Sequence, residues 1–345
     1  MTDGFGTTLL QPTQLNLEYT EHLAIAHDLD RDPAELGGAL AQVSVATGTW
    51  LADRVNKAQP LRETTVTDNL LTALEQLVPT FTYVDLGGLA AETRTGADLE
   101  WWIEGRTRWF DFWVQAKRAF YTRPMPYYDL AYRVGGGSEL QSTRLISASR
   151  RAGVPAIHAL FNATGIGFVY TADACESPGL CDLPPAAEGV TAISAREAER
   201  LGIEAAQRGG TVTEVDLAEV IDVAMPLTCL VGCPSSLPDR RHPPTGRHLA
   251  TQTVWEQLGF GGALDPTDPA FVAAVATLGL YAHDETTTFE EALAIVGEGV
   301  RSDPADYVLD PSEETIEAWL ARSDLPRSEW PRRVAVTRRE GDQRR

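Results

Sequence analysis

Four polar side chains in one short stretch are of the types that act on phosphate esters: Asp98, Glu100, Gln115 and Lys117. Carboxylate and amide oxygens bind hard cations such as Mg²⁺, which usually takes one or two carboxylates besides water and phosphate. An ammonium group beside the cation can orient the attacking water or stabilise negative charge on the phosphate. These types favour metal-assisted phosphodiester hydrolysis, with Asp98 as a metal ligand and Glu100 as a candidate to help it bind the cation. Gln115 would be a neutral ligand or position water, and Lys117 would orient the nucleophile.

Two predicted strands, residues 97–103 and 109–117, position these side chains on either side of a charged turn. Alternate side chains of a strand share a face, so each pair of candidate residues lies on one side of its own strand. If the strands pair as a hairpin, the polar groups converge at one end of a sheet. The alternative is a hairpin whose polar side chains face water.

Lys117 is unusual because the chain has 29 lysines and arginines, of which only Lys57 and Lys117 are lysines. A compact ammonium group responds to burial by shifting its pKa, whereas a guanidinium group stays charged. A lysine within an apolar strand therefore indicates a role that arginine does not fill.

Asp98, followed after a hairpin-length gap by Gln115-Ala116-Lys117, resembles the signature of PD-(D/E)XK nucleases, in the Mrr-like branch where Gln-x-Lys replaces Glu-x-Lys. The sequence motifs GADLEWW and VQAKR also resemble those of an uncharacterised bacterial family associated with this fold. The resemblance covers residues 61–162. It implies an α/β, restriction endonuclease-like fold with a mixed central sheet flanked by helices. It also implies a Mg²⁺- or Mn²⁺-dependent endonuclease acting on DNA in restriction or anti-phage defence.

The resemblance adds further candidate residues. Nucleases of this class often carry a glutamate on their first core helix as an extra metal ligand, which makes Glu63 a candidate; the alternative is an acid favourably placed at a helix N-terminus. Glu92 could supply the carboxylate that the Gln-x-Lys motif lacks, or be an exposed loop acid. Gln141 resembles a glutamine of the similar family. It is a candidate for binding substrate, as are Arg118 and Arg144.

The order of predicted elements matches the core of that fold: helix, three strands, helix, strand. The core would occupy residues 60–233 with an extension, after an N-terminal helical cap at residues 1–59. A linker and a helical C-terminal region would follow at residues 234–345. Within these regions the apolar run 227–232 is predicted to be a strand, and the arginine-rich end, residues 327–345, is predicted to be frayed.

Composition indicates a globular protein, with 43% hydrophobic and 23% charged residues in 345. Residues 1–11 lack the pattern of a signal peptide, and no apolar run approaches the roughly 18 residues of a membrane span. The sequence therefore predicts a cytoplasmic protein with reduced cysteines and no membrane partner.

The net charge of −20 argues against a protein that coats nucleic acid by neutralising its phosphates. The charge is uneven, however, because residues 105–151 contain nine basic and three acidic side chains. This basic region coincides with the candidate site and favours an anionic substrate, although a solvated surface is the alternative. Aromatic residues follow within 121–137, including Tyr127, Tyr128 and Tyr132, and could stack on bases, pack in the core or form a lid.

Four cysteines occur in two pairs and allow a zinc site as a second cofactor prediction: Cys175, Cys181, Cys229 and Cys233. Their spacings are not those of a tight zinc knuckle, so buried or incidental thiols are the favoured alternative.

Two other functions stay open from the sequence. The chain could be a nuclease fold that has lost its metal site and serves as a binding or sensor subunit, as the acidic surface and the glutamine in place of glutamate suggest. It could also be an effector acting on RNA or nucleotides. A partner protein or a homo-oligomer is compatible with each.

Overall fold

The fold is taken from a computed structural model. The residues it describes are 12–26, 35–86, 95–123, 125–133, 139–164, 189–208, 214–221, 223–231, 252–282, 287–321 and 330–339. The helices are α1 (Pro12–Ile25), α2 (Leu36–Asn56), α3 (Glu63–Leu77), α4 (Gln141–Ala152), α5 (Ala195–Gln207), α6 (Leu217–Ile221), α7 (Leu227–Val231), α8 (Gln252–Gln257), α9 (Pro269–Ala282), α10 (Phe289–Glu298), α11 (Asp306–Leu309) and α12 (Glu313–Leu320). The strands are β1 (Phe81–Asp85), β2 (Leu99–Glu104), β3 (Trp109–Arg118), β4 (Tyr127–Tyr128), β5 (Ala156–Phe161), β6 (Val190–Ser194), β7 (Val215–Asp216), β8 (Met225–Pro226), β9 (Val300–Arg301) and β10 (Arg333–Thr337).

One mixed sheet of eight strands organises the molecule, in the order β1-β10-β2-β3-β5-β6-β8, with β9 also paired to β3. The β10–β2 and β3–β5 pairs are parallel, and the other pairs of this sheet are antiparallel. Helices cover both faces. The predicted α/β architecture with a mixed central sheet flanked by helices is therefore confirmed.

The predicted hairpin forms from β2 and β3. Its register pairs Leu99 with Val114 and Glu104 with Trp109, and the backbone N–H of Asp98 extends the pairing by donating to the Val114 carbonyl at 2.9 Å. Nearly every residue of both strands is buried. The polar residues of this hairpin therefore do not form a wet face; they are enclosed between the sheet and its covering elements.

The two faces of the sheet bury separate sets of aromatic rings. On one face Trp101 stacks on Phe112 at a centroid distance of 5.7 Å, within a core shared with α2, α3 and α9. On the other face Trp113 meets Trp330 edge to face at 5.7 Å, within a core that also includes Tyr307. The second core is the one that adjoins the polar side of the hairpin.

The prediction of a frayed C-terminal end is wrong for β10. This strand is buried along its length and lies inside the sheet, antiparallel to β1 and parallel to β2. The side chain of Arg333 is fully buried, and its Nε donates to Asp68 at 3.0 Å. Arginine-rich flanks concealed a short apolar strand whose pairing partners lie more than 200 residues earlier in the chain.

The prediction of a strand at residues 227–232 is also wrong. Leu227–Val231 is a short helix, preceded by the two-residue strand β8. Leu227 and Leu230, one helical turn apart, are buried in the core shared with α2 and α9. A short apolar run has no periodicity that separates a buried strand from a buried helix, and packing decided the outcome.

The predicted domain boundaries near residues 60 and 234 stay predictions. One hydrophobic cluster contains Trp50 of α2, Phe112 of β3 and Phe271 of α9, so residues of all three predicted regions share a core. Within the described ranges, no helix has both the length and the apolar character needed to cross a membrane.

Candidate functional site

The Asp98 carboxylate lies just before β2 and is held by two donors from β3. Its Oδ2 accepts hydrogen bonds from the Gln115 side-chain amide at 2.6 Å and from the Ala116 backbone N–H at 2.8 Å. Only 4% of Asp98 is exposed. The anion is thus stabilised in a buried place by donors that the hairpin register supplies.

A chain of side-chain hydrogen bonds continues from Asp98 to Lys117. The Gln115 Oε1 accepts from Gln141 Nε2 at 2.8 Å, and the Gln141 Oε1 accepts from Lys117 Nζ at 2.6 Å. All four residues are buried. The structure therefore brings Asp98, Gln115, Gln141 and Lys117 together at one end of the central sheet.

Local sequence explains why Gln141 can reach this chain. Gln141 is the first residue of α4, and Gly96 lies directly beneath it with φ +71°. A Cβ at Gly96 would stand 2.7 Å from the Gln141 carbonyl oxygen, closer than real contacts allow. The glycine of the GAD sequence thus lets the start of α4 approach the start of β2.

Glu63, the first residue of α3, lies close to the ammonium group of Lys117. Its Oε2 lies 3.9 Å from Lys117 Nζ, and its Oε1 accepts from the Arg118 backbone N–H at 3.4 Å. The site therefore contains two carboxylates, those of Asp98 and Glu63, and one ammonium group, that of Lys117. Binding of a cation would offset the remaining negative charge.

The oxygen donors of this site are of the types that a hard cation takes when water and substrate complete its coordination. Among the described residues, no group of three or more His, Cys, Asp or Glu side chains is arranged to hold a metal. Mg²⁺ needs fewer, because it commonly binds through one or two carboxylates plus water and phosphate oxygens. Asp98 and Glu63 are such carboxylates. Gln115 turns its nitrogen toward Asp98, so its oxygen would join only after the amide rotates by half a turn.

Glu100 has different partners from those predicted. Its carboxylate accepts from the Tyr307 hydroxyl at 2.9 and 3.0 Å and from Trp330 Nε1 at 2.9 Å. Burial raises the pKa of Glu100 to about 7, against the opposing effect of these donors. Asp111 on β3 is likewise buried, and its pKa is raised by burial and then by the charge of Glu100. These contacts place Glu100 in the second core and not in the Asp98 chain.

His158 is a neighbour of the site that the sequence did not single out. It lies on β5 in register with Gln115 and is 2% exposed. Burial, followed by the charge of Lys117, lowers its pKa to about 3, so the ring is neutral. Its Nδ1 has no hydrogen-bond partner among the described residues. The sequence feature that could have identified His158 is that it is the one polar residue in the otherwise apolar predicted strand at residues 155–161.

The remaining predicted residues fall into three groups. Arg118 is half-buried beside Glu63, whereas Arg144 pairs with Glu139 at 2.8 Å. Cys229 is a buried thiol on α7. Four predicted residues lie outside the described ranges: Glu92, Cys175, Cys181 and Cys233. The zinc site and the role of Glu92 as a metal ligand therefore stay predictions.

The chain belongs to DUF6615, a family of unknown function, whose model matches residues 40–343. No curated protein matches the chain. No solved structure matches it either. The family match spans every element that positions the Asp98–Lys117 chain, from α3 to β10.

Proposed function

We propose that this DUF6615 member is a metal-dependent nuclease that hydrolyses DNA phosphodiester bonds with Mg²⁺ or Mn²⁺. The observation that best supports this proposal is the buried hydrogen-bonded chain from Asp98 through Gln115 and Gln141 to Lys117. Burying charged groups costs free energy, and apolar side chains of similar volume are often at least as stabilising. These buried hydrogen-bonded side chains at the end of the sheet are therefore better explained by a catalytic role than by a contribution to the stability of the fold.

Each residue of the chain has a role that follows from its contacts. Asp98 would hold the cation, with Glu63 as a second carboxylate; the bound ion would polarise the phosphate and lower the pKa of a coordinated water. Gln115 connects the Asp98 carboxylate to Gln141. Gln141 binds Lys117 and thereby fixes the position of its ammonium group. Lys117 is then placed to orient water or to donate to a phosphate oxygen.

The test is a cleavage assay on the purified full chain, with single-stranded DNA, supercoiled plasmid and linear duplex DNA, and with either Mg²⁺ or Mn²⁺. We expect cleavage that stops with EDTA and that falls by about 100-fold or more in Asp98→Asn and Lys117→Ala. Lys57→Ala is the matched control, because the other lysine is exposed and forms an ion pair with Asp53, four residues earlier. Full activity in EDTA, or a Lys117→Ala variant as active as the control, would contradict the proposal.

A binding or sensor subunit without catalysis is the second candidate. It is favoured by the net charge of −20 and by the glutamine that stands in place of glutamate in the Gln-x-Lys motif. A Mn²⁺ titration separates the two, because the nuclease reading requires binding that Asp98→Asn weakens. Substrate panels with RNA and nucleotides test the effector alternative. Cytoplasmic location, a role in restriction or anti-phage defence, and a protein partner or homo-oligomer belong to the proposal.

A further inference from the structure

Tyr132 is tied to the candidate site yet leaves much of its ring in solvent. Its backbone carbonyl accepts from the N–H of Gln141 at 2.9 Å, and Lys117 Nζ lies 5.3 Å from the centroid of its ring. The residue is 46% exposed. The Tyr132 ring is therefore held beside the Lys117 ammonium group by a backbone hydrogen bond and a cation–π contact.

A row of aromatic and basic side chains extends the same end of β3. The Arg118 guanidinium lies 4.2 Å from the Phe120 ring, and the Arg123 guanidinium lies 4.2 Å from the Tyr127 ring. Phe120 and Tyr127 face each other across an isolated β-bridge, with ring centroids 5.3 Å apart and planes within 13°. Arg118, Phe120 and Tyr127 are half-buried, and the Arg123 side chain, which is 39% exposed, forms an ion pair with Glu214. A pair of stacked rings with one arginine against each ring thus lies on one partly open surface.

Other aromatics of this segment are used for packing, which separates them from Tyr132. Tyr128 is fully buried, and its hydroxyl donates to Asn162. The Tyr121 hydroxyl accepts from the Ala163 backbone N–H at 2.6 Å. These two residues attach the segment to the core. The exposed Tyr132 ring contributes little to that attachment and is available to a ligand.

Resting on the proposed function, we infer that the site takes single-stranded DNA, with an unpaired base stacked on Tyr132. A duplex hides the faces of its bases, whereas an unpaired strand exposes them to aromatic side chains. The arginines on either side of the stacked rings place guanidinium groups where a phosphate backbone could contact them, and such groups also stack on bases. Tyr132 would set the strand so that the phosphate next to the stacked base reaches Lys117.

The test measures binding of a short labelled single-stranded DNA and of its duplex by fluorescence anisotropy, in EDTA so that no metal-dependent cleavage occurs. We expect the single strand to bind more tightly than the duplex. Tyr132→Leu should weaken binding of the single strand by roughly 5- to 100-fold, the usual effect of losing one stacked base. Tyr132→Phe, which keeps the ring, should bind as wild type does. Met125→Ala, in the same segment and 51% exposed, is the control for general loss of apolar surface.

The inference fails if the duplex binds as tightly as the single strand, a comparison that needs no variant. It also fails if Tyr132→Leu, folded by thermal melting, binds the single strand as wild type does, or if Met125→Ala weakens binding equally. Its failure is distinct from that of the proposed function. Tyr132-dependent binding without cleavage under Mg²⁺ or Mn²⁺ would retain the inference and reject the nuclease. Cleavage of duplex without such binding would do the reverse.

Discussion

Replacing Glu100 by glutamine tests whether this carboxylate belongs to the core or to the catalytic chain. Its pKa is about 7 in the folded protein against an ordinary value of 4.5, chiefly because of burial. Between those values the folded state keeps a proton that the unfolded state releases. Glu100 therefore lowers the free energy of unfolding as pH rises through this window. At about 1.4 kcal/mol per pH unit, the loss amounts to roughly 3 kcal/mol.

The comparison must be made between variant and wild type, because His158 acts in the opposite sense. Its pKa is lowered from 6.5 to about 3, so its contribution to stability grows as pH rises between those values. Glu100→Gln keeps the shape of the neutral side chain and an oxygen that can accept from Tyr307 and Trp330. We expect the variant to gain roughly 3 kcal/mol on wild type between about pH 4.5 and pH 8. A further gain in the same direction follows because the charge of Glu100 no longer raises the pKa of Asp111.

Urea unfolding at several pH values measures this difference directly. Glu139→Gln, at the surface with an exposed carboxylate, is the matched control for replacing a glutamate by glutamine. A Glu100→Gln variant that tracks wild type across the window would refute the argument for a buried, proton-holding Glu100. Loss of DNA cleavage in the folded variant would instead return Glu100 to the catalytic group.

Three further changes test the site and the fold. Lys117→Arg should lose cleavage nearly as completely as Lys117→Ala, because the planar guanidinium cannot replace a buried ammonium; an arginine variant within a few-fold of wild type would show that charge alone suffices. Gly96→Ala should lower the melting temperature and the cleavage rate, because its Cβ would meet the Gln141 carbonyl. Gly153→Ala is the control, since it shares the positive φ but has no contact closer than 3.5 Å; equal loss of cleavage would refute the contact argument. A chain ending at residue 332 lacks β10 and should lose cooperative thermal unfolding, and a normal melt would contradict the sheet order.

The hairpin and its polar face were predictable because they depend on local rules. Strand alternation places Gln115 and Lys117 together whatever the rest of the chain does, and a short turn makes antiparallel pairing with β2 the simplest arrangement. Asp98 then follows from the register. The same rules could not assign Glu100. Alternation puts it on the same face as Asp98, but its partners, Tyr307 and Trp330, come from more than 200 residues later.

Non-local pairing accounts for what the sequence left out. His158 lies beside Gln115 only because β5 runs parallel to β3 in one particular register, which no local pattern specifies. β10 reaches the middle of the sheet after a long crossing, and its flanking arginines resemble a solvated tail. Helical and strand periodicities describe single elements, whereas both misses concern which elements become neighbours.

The C-terminal strand links the core acid to the candidate site. The backbone N–H of Arg333 donates to the Asp98 carbonyl at 3.1 Å, so β10 fixes the residue that would hold the cation. Three residues earlier, Trp330 donates to Glu100 and helps to close the second core over it. Residues 330–337 thus help to bury the carboxylate of Glu100 and also position the backbone of Asp98. The proposed activity consequently requires residues far beyond the Asp98–Lys117 stretch, in keeping with a family match that extends to residue 343.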